Sequence, residues 1–474
     1  METKKYVPVI GVEIHLELNT KTKMFSQAIN SFSKEENTNI SLIDLGFLGT
    51  LPKVNEEAVK KAIFLASALN MNIESALCFD RKNYFYPDLP KGYQITQQFR
   101  PIGTNGFINI PTQENQQKQI AIQRIHLEED TAKQIHKDEF TYLDYNRAGA
   151  PLIEIVTYPV MSSAEEAAAY VDEIRKLALF LKISDAKLEE GSLRADINLS
   201  LKEATSNEFG TKVEIKNINS ISNIKKAINL EIEEQTNLLN YAQKVQQVTK
   251  RYDDKNNLNK VLREKTDSVD YRYFPETNIP CFALTNEYKN QVLLEIKPTP
   301  EQVKLKLKEA LISDFYIDQI LNNVDFWEYL DSVDYHNLEK TTKVFFAEIV
   351  PIINKVGFQN LNIKPSFLKQ VLEKLEENKI NLQHVKKILP IKNKEVNLTL
   401  DEIIHNLDIK VYAREELETL LDELINEHQE YISKNTNNND KIEKFLMGQA
   451  MKKTKSNANP TELSEIISRK LAFN

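Results

Sequence analysis

The stretch Tyr6-Val7-Pro8-Val9-Ile10-Gly11-Val12-Glu13-Ile14-His15-Leu16-Glu17-Leu18 decides how the first half of the chain folds. It predicts a strand, and strand side chains alternate between faces with period two. Glu13 and His15 therefore point to one face, and Glu17 continues it. Short apolar or alternating runs at 108–111, 120–125, 151–156, 195–201 and 212–215 predict further strands of a largely antiparallel sheet. Within this region Ser163-Ala164-Glu165-Glu166 has capping-box spacing, and Val171, Ile174, Ala178 and Leu181 form an apolar stripe, which predicts a helix. A second helix is expected over 222–239, with Ile224, Ala227, Ile228 and Glu231 on one face.

Glycine marks where this pattern ends. Nine of the 11 glycines lie at or before Gly210, leaving only Gly357 and Gly448, so strand and loop give way to helix. Lys297-Pro298-Thr299-Pro300 disfavours regular structure and places a domain boundary just before it. From Glu301 onward Leu305, Leu307 and Leu311, then the runs 367–375, 385–389 and 417–425, predict a helical bundle without a sustained heptad. The polar run 432–441 reads as an exposed loop inside it. The expected class is α+β, divided into 1–295, a helical domain 296–407 and a small helical tail 408–474.

Three segments concentrate acids and imidazoles in the first 200 residues: Gly11-Val12-Glu13-Ile14-His15, His126-Leu127-Glu128-Glu129-Asp130 and Glu189-Glu190-Gly191-Ser192-Leu193-Arg194-Ala195-Asp196. One Glu-x-His pair is more often a surface pair than a metal site. Three acidic segments together favour a divalent cation, because clustered carboxylates are costly to bury unless a cation offsets them. The segment from Asp80 to Ile95 carries Arg81, Lys82, four aromatics including Tyr84, and two prolines. It suits substrate recognition, the structural alternative being a packed aromatic turn. Arg272, flanked by Tyr271 and Tyr273, could grip a phosphate or carboxylate, or stand in an ordinary edge strand closed by Pro275. No GxxxxGK[ST] loop and no GxGxxG fingerprint occurs, so nucleotide phosphates would be held by a metal and individual Arg or Lys side chains.

At 474 residues the chain exceeds a single core. A net charge of −8 argues against nucleic-acid binding over the whole surface, though not against local basic patches. One such patch is the segment after Glu443, whose lysines, including Lys452, Lys453 and Lys455, have no nearby acids in sequence; a solvated helix face is the alternative. Cys78 and Cys281 form no CxxC, so neither a disulfide framework nor a thiolate zinc site is expected, and a reducing, cytoplasmic location is. No apolar run predicts a signal peptide or membrane span.

The motifs together resemble one family, the B subunit of the tRNA-dependent amidotransferases. Val9–His15, Asp80–Gln94, His126–Asp130, Asp144–Pro159, Glu189–Ser200, Gly210–Ser220, Asp270–Pro275 and Gly448–Pro460 match its signature segments in order. The resemblance implies a cradle-shaped catalytic domain, a helical domain and a tRNA-binding tail carrying Lys452, Lys453 and Lys455. It also implies a heterotrimer with an amidase (glutaminase) partner and a small bracing partner. Such an enzyme uses ATP and Mg²⁺ to convert Glu-tRNA(Gln), Asp-tRNA(Asn) or both to the amide forms. Glu13, His15, Glu128, Glu129, Glu190 and Asp196 would be the metal-site residues, with Glu13, His15 and Glu129 catalytic and Lys91 on the ammonia route. Arg81, Lys82, Tyr84, Arg194 and Arg272 are the candidates for ATP and substrate. Ala132 and Ala195 depart from the usual glycine and cysteine, Lys343-Val344-Phe345-Phe346 departs from an Asn-Trp pattern, and the zinc cysteines of some members are absent. A non-catalytic tRNA scaffold and a metal-dependent nuclease are the competing readings.

Overall fold

The computed structural model describes residues 6–472 except 32–34, 113–115, 265–269, 411, 434–438 and 456. The chain divides into two compact units, Met1–Gln302 and Val303–Asn474. The first is organised by a nine-stranded sheet in the order Leu258–Glu264, Val248–Asp253, Val213–Ile218, Leu193–Glu203, Tyr6–Glu17, Pro151–Thr157, Gln117–Glu129, Gly103–Pro111 and Asn72–Ile73. Neighbours are antiparallel except Val213–Ile218 against Val248–Asp253.

Period two does the sorting within the opening strand. Ile10, Val12, Ile14 and Leu16 are buried on one face with Ile125, Leu127, Ile153 and Ile155 of its neighbours, while Glu13 and His15 stay partly exposed on the other. Helices Glu56–Ala68, Ala164–Phe180 and Ile221–Asn240 pack around the apolar face. The helix expected from Ser163 begins with that residue's side chain capping Glu166 N, and Glu166 in turn accepts from Ser162 N at 2.7 Å. In the next helix Ile224, Ala227, Ile228 and Glu231 are all buried. The acid fits among them because Lys250 Nζ and Gln235 Nε2 each lie 2.9 Å from its carboxylate.

Two sequence expectations are corrected here. The segment from Asp80 to Ile95, where no strand was expected, is partly sheet: Asp80–Asn83 and Tyr93–Thr96 pair antiparallel, and Phe274–Pro275 adds a third strand. Cys78 and Cys281, for which no bond was expected, are joined. The two-residue ladder between Ala76–Leu77 and Phe282–Ala283 brings them alongside across 203 positions, a proximity that no local motif signals.

In the second unit every long element among the described residues is helical. Leu307 is buried as the pattern predicts, but Leu305 and Leu311 are exposed. Lys343-Val344-Phe345-Phe346, the atypical segment, runs into a π-helical turn at Phe345–Ile349. Leu417, Leu421, Leu424, Ile442, Leu446, Leu463 and Ile466 form an apolar cluster of their own. Of the run expected as a loop at 432–441, residues 434–438 lie outside the described residues, and what flanks them belongs to helices Gln429–Ser433 and Asn439–Lys453. Among the described residues no helix is long and apolar enough to cross a membrane.

Candidate active site

Strand register assembles the site. Arg194, His15, Glu154 and His126 lie directly opposite one another on four adjacent strands. Two residues along in one direction the row continues as Glu17, Leu152 and Glu128; in the other it reads Asp196, Glu13 and Val156. All share the face opposite the core, because a shift of two residues preserves the side. Glu129 is one residue beyond Glu128 and so points away from this grid.

Three donors converge at its centre. His15 Nε2 stands 3.6 Å from Glu128 Oε1 and 3.6 Å from Glu154 Oε2. The ligating atoms of this trio lie within 4.8 Å of one another. Behind them His126, almost fully buried, places Nε2 3.4 Å from Glu128 Oε2 and 3.2 Å from Glu154 Oε2. Two carboxylates and an imidazole suit a hard divalent cation, and the 3.6 Å separations are close to the ~3 Å between neighbouring ligands on a Mg²⁺ ion.

The charged groups around the trio shift one another. Burial and the neighbouring Glu154 and Asp196 carboxylates push the Glu13 carboxyl above its ordinary range, against the partial relief of Lys216. Burial alone would depress the His126 imidazole, but Glu154 and Glu128 overcome it and raise it to about 9. Glu154, despite burial, is held below the usual carboxylate range by His126, His15 and Lys82. The Glu13 carboxyl, raised among crowded acids, is in the condition a divalent ion relieves, whereas the charge on Glu154 is offset by the imidazoles and Lys82.

His15 and Glu128 of the trio line a cavity of about 650 Å³ together with, among others, Lys82, Tyr84, Arg194, Asp196 and Lys216, while Glu154 lies behind them. Lys82 is kept cationic by Glu128, two tyrosines and Glu154, although burial opposes it. Its Nζ sits 4.8 Å from the centre of the Tyr271 ring and 5.8 Å from that of Tyr84. Arg194 donates to Asp130 at 2.8 Å. Lys216 bonds Asp196 and stands 3.0 Å from Glu214.

The residues singled out from sequence thus separate. His15 and Glu128 meet, with Glu13 and Asp196 beside them, Glu13 accepting from Asn198 Nδ2 at 2.8 Å. Glu129 instead binds Lys91, whose Nζ lies 2.5 and 2.6 Å from its two oxygens, and neither belongs to the trio. Glu190 lines the cavity rim but is exposed and paired with Lys187 at 2.9 Å. Arg81 has its guanidinium committed to Glu276 at 2.6 and 3.0 Å. Arg272 is exposed, at φ +45°, and does not line the cavity. Lys452 and Lys455 are exposed, while Lys453 has a partner that sequence proximity did not reveal, Glu427 at 2.8 Å. Sequence reasoning missed Glu154 and Lys216. The signal for the first was a single acid inside the apolar run Leu152-Ile153-Glu154-Ile155-Val156.

Glu17 gives the site a measurable pH signature. Burial, then Asp130, raise its pKa from 4.5 to about 7, with Arg194 and Arg147 opposing. The folded state therefore holds a proton that the unfolded chain releases, so stability falls as pH climbs from 4.5 to about 7 and stays lower above it. Replacing Glu17 by Gln removes this loss. The variant should gain about 3 kcal/mol over the parent at pH 8 relative to pH 4, at roughly 1.4 kcal/mol per pH unit of the shift. Urea denaturation at both pH values checks it, and an equal difference at the two would contradict the assignment.

Residues 8–290 match the family described as the GatB/GatE catalytic domain, and 328–471 match the GatB domain. The chain belongs to the GatB/GatE family. A curated relative from Mycoplasmopsis agalactiae is 48% identical over 464 residues, covering 97% of each chain. One from Mesoplasma florum is 42% identical over 97% of each, and one from Ureaplasma parvum serovar 3 is 42% identical over 96% of each. All three are named as the B subunit of aspartyl/glutamyl-tRNA(Asn/Gln) amidotransferase. His15, Glu128 and Glu154 fall within the GatB/GatE catalytic match, and Lys452, Lys453 and Lys455 within the GatB-domain match.

Proposed function

We propose that this chain is the B subunit of a glutamine-dependent tRNA amidotransferase, working in the cytoplasm as one of three with an amidase (glutaminase) partner and a small bracing partner. It binds Glu-tRNA(Gln), Asp-tRNA(Asn) or both, activates the side-chain carboxylate with ATP, and completes the amide with ammonia. The observation that carries this reading is the convergence of His15, Glu128 and Glu154, the first two lining a cavity that also carries Lys82, Arg194 and Lys216, in a chain that aligns with subunits of that name over nearly its whole length.

The chemistry dictates an order. A free carboxylate does not accept an amine, so one of its oxygens first attacks the γ-phosphorus of ATP and ADP leaves. Ammonia then attacks the acyl carbon of the resulting acyl phosphate, and inorganic phosphate departs with that oxygen. His15, Glu128 and Glu154 are the residues to hold Mg²⁺, which when bound offsets charge on the transferring phosphoryl group. Lys82, held cationic in the cavity wall, neutralises phosphate oxygens, and Tyr84 supplies an aromatic wall beside it. Glu13 and Asp196, next in the grid, complete the acidic surround, and His126 keeps both trio carboxylates oriented. Lys91 and Glu129, bonded to each other on the other side of the strand, are the candidates for the ammonia route. The three-part division at 295 and 407 belongs to this reading, with Lys452, Lys453 and Lys455 of the tail meeting tRNA phosphates.

Reconstitution with both partners tests it. With glutamine, ATP and Mg²⁺ the complex should convert at least one of the two misacylated tRNAs to the amide form, leaving the RNA at full length. The isolated chain should make none from glutamine, since it has no Ser-Ser-Lys amidase signature. Shortened RNA would support the nuclease alternative, and tRNA binding without tRNA-dependent ATP turnover would support the scaffold.

A further inference from the structure

We propose that Cys78 and Cys281 form a reversible redox-modification site, a latch that fixes the segment 270–284 to the strand bearing Arg81 and Lys82. These are the only cysteines in 474 residues. They are 203 positions apart and nonetheless meet.

Their surroundings explain what the bond would control. Cys78 lies between Ala76–Leu77 and Asp80–Asn83, and Cys281 immediately precedes Phe282–Ala283. The 270–284 segment is held there by two ladders of two residues each, Phe274–Pro275 on Asp80–Arg81 and Phe282–Ala283 on Ala76–Leu77, together with hydrogen bonds from Asn83 to the Tyr271 and Arg272 carbonyls, from Glu276 N to Phe79 O and from Leu284 N to Ser75 O. Of its residues only Glu276, Ile279 and Leu284 are buried, and the others are partly or fully exposed. Yet this segment carries Tyr271, whose ring stands against Lys82, and Glu276, which fixes Arg81. A covalent bond between the two ladders adds a cross-link to these non-covalent contacts.

The sulfurs are placed to react. Cys281 is exposed and open to a low-molecular-weight disulfide, while Arg100 Nη1 lies 4.0 Å from Cys78 Sγ, a cation that favours the thiolate. In the reduced protein the Cys281 thiolate attacks such a disulfide, RSSR, forming a mixed disulfide and releasing one RSH. The Cys78 thiolate then displaces the second RS⁻, which takes a proton. Two electrons pass from the protein sulfurs to RSSR, and two RSH leave.

The test uses the full chain in its complex, reduced with dithiothreitol or oxidised with glutathione disulfide, with Cys281→Ser as the control. Oxidation of the folded protein should remove two hydrogens by intact mass, and Cys281→Ser should abolish that change. Amide exchange over 271–284 should slow about tenfold on oxidation, the scale of a local opening closed by a cross-link. A reduced protein that glutathione disulfide cannot reoxidise without unfolding overturns the latch, and so does equal exchange in the two states. The KM for ATP should also differ between redox states, and this part rests on the nucleotide reading of the Lys82 cavity. Slowed exchange with an unchanged KM supports the latch and contradicts only that placement.

Discussion

Glu154→Gln should lower tRNA-dependent ATP hydrolysis by roughly 100-fold, the loss typical of removing one essential electrostatic element from an active site. Glu154 is the centre of the grid: it faces His15 on one neighbouring strand and His126 on the other. Glutamine keeps the shape and part of the hydrogen bonding but not the charge, so the trio retains one carboxylate where two are required. Mn²⁺ affinity, followed by paramagnetic resonance on the folded variant, should fall in parallel. Wild-type turnover and wild-type Mn²⁺ binding in a folded Glu154→Gln protein would move the metal elsewhere. His126→Asn should weaken Mn²⁺ binding less, because the imidazole touches both carboxylates but is not one of the three donors.

The largest effect on stability is expected behind the sheet, at Lys250. Its Nζ stands 2.9 Å from Glu231 and 2.7 Å from Glu234, and both Lys250 and Glu231 are almost fully buried. Lys250→Met leaves the Glu231 carboxylate buried with Gln235 as its remaining partner. Breaking such a pair from one side costs about 3 to 5 kcal/mol, whereas replacing both partners by apolar groups is often close to neutral. The double variant Lys250→Met/Glu231→Leu should therefore recover most of the loss in chemical denaturation. A single variant within about 1 kcal/mol of the parent, on the scale of an exposed pair, would show that the ion pair is not buried as described.

The apolar half of the catalytic unit was legible because alternation and burial are the same fact: Ile10, Val12, Ile14 and Leu16 had to face one way once the strand was recognised. The same rule placed Glu13 and His15 together correctly. It could not choose between Glu128 and Glu129, because that depends on which face of a second strand meets the first, and pairing register is a long-range property. Glu154 stayed hidden because one acid in an apolar run is equally a half-buried structural residue until its cross-strand neighbours, His15 and His126, are known. Arg81 was read as a ligand-binding cation because its partner Glu276 lies 195 residues away. The cysteine bond was invisible for the same reason. In the tail, charge spacing along the chain left Lys453 unpaired where helix packing supplies Glu427.

The central claim is that the grid around His15, Glu128 and Glu154 activates the side-chain carboxylate of a misacylated tRNA. Hydroxylamine trapping tests it most directly. The reconstituted complex is incubated with ATP, Mg²⁺ and Glu-tRNA(Gln) or Asp-tRNA(Asn), with no glutamine or ammonia, and an acyl phosphate is captured as the side-chain hydroxamate of the tRNA-linked amino acid. The account predicts ATP-dependent hydroxamate with the parent on at least one of the two tRNAs, and its near disappearance with Glu154→Gln. Parent complex that amidates tRNA yet yields no hydroxamate, or variant complex that yields as much as the parent, would contradict it.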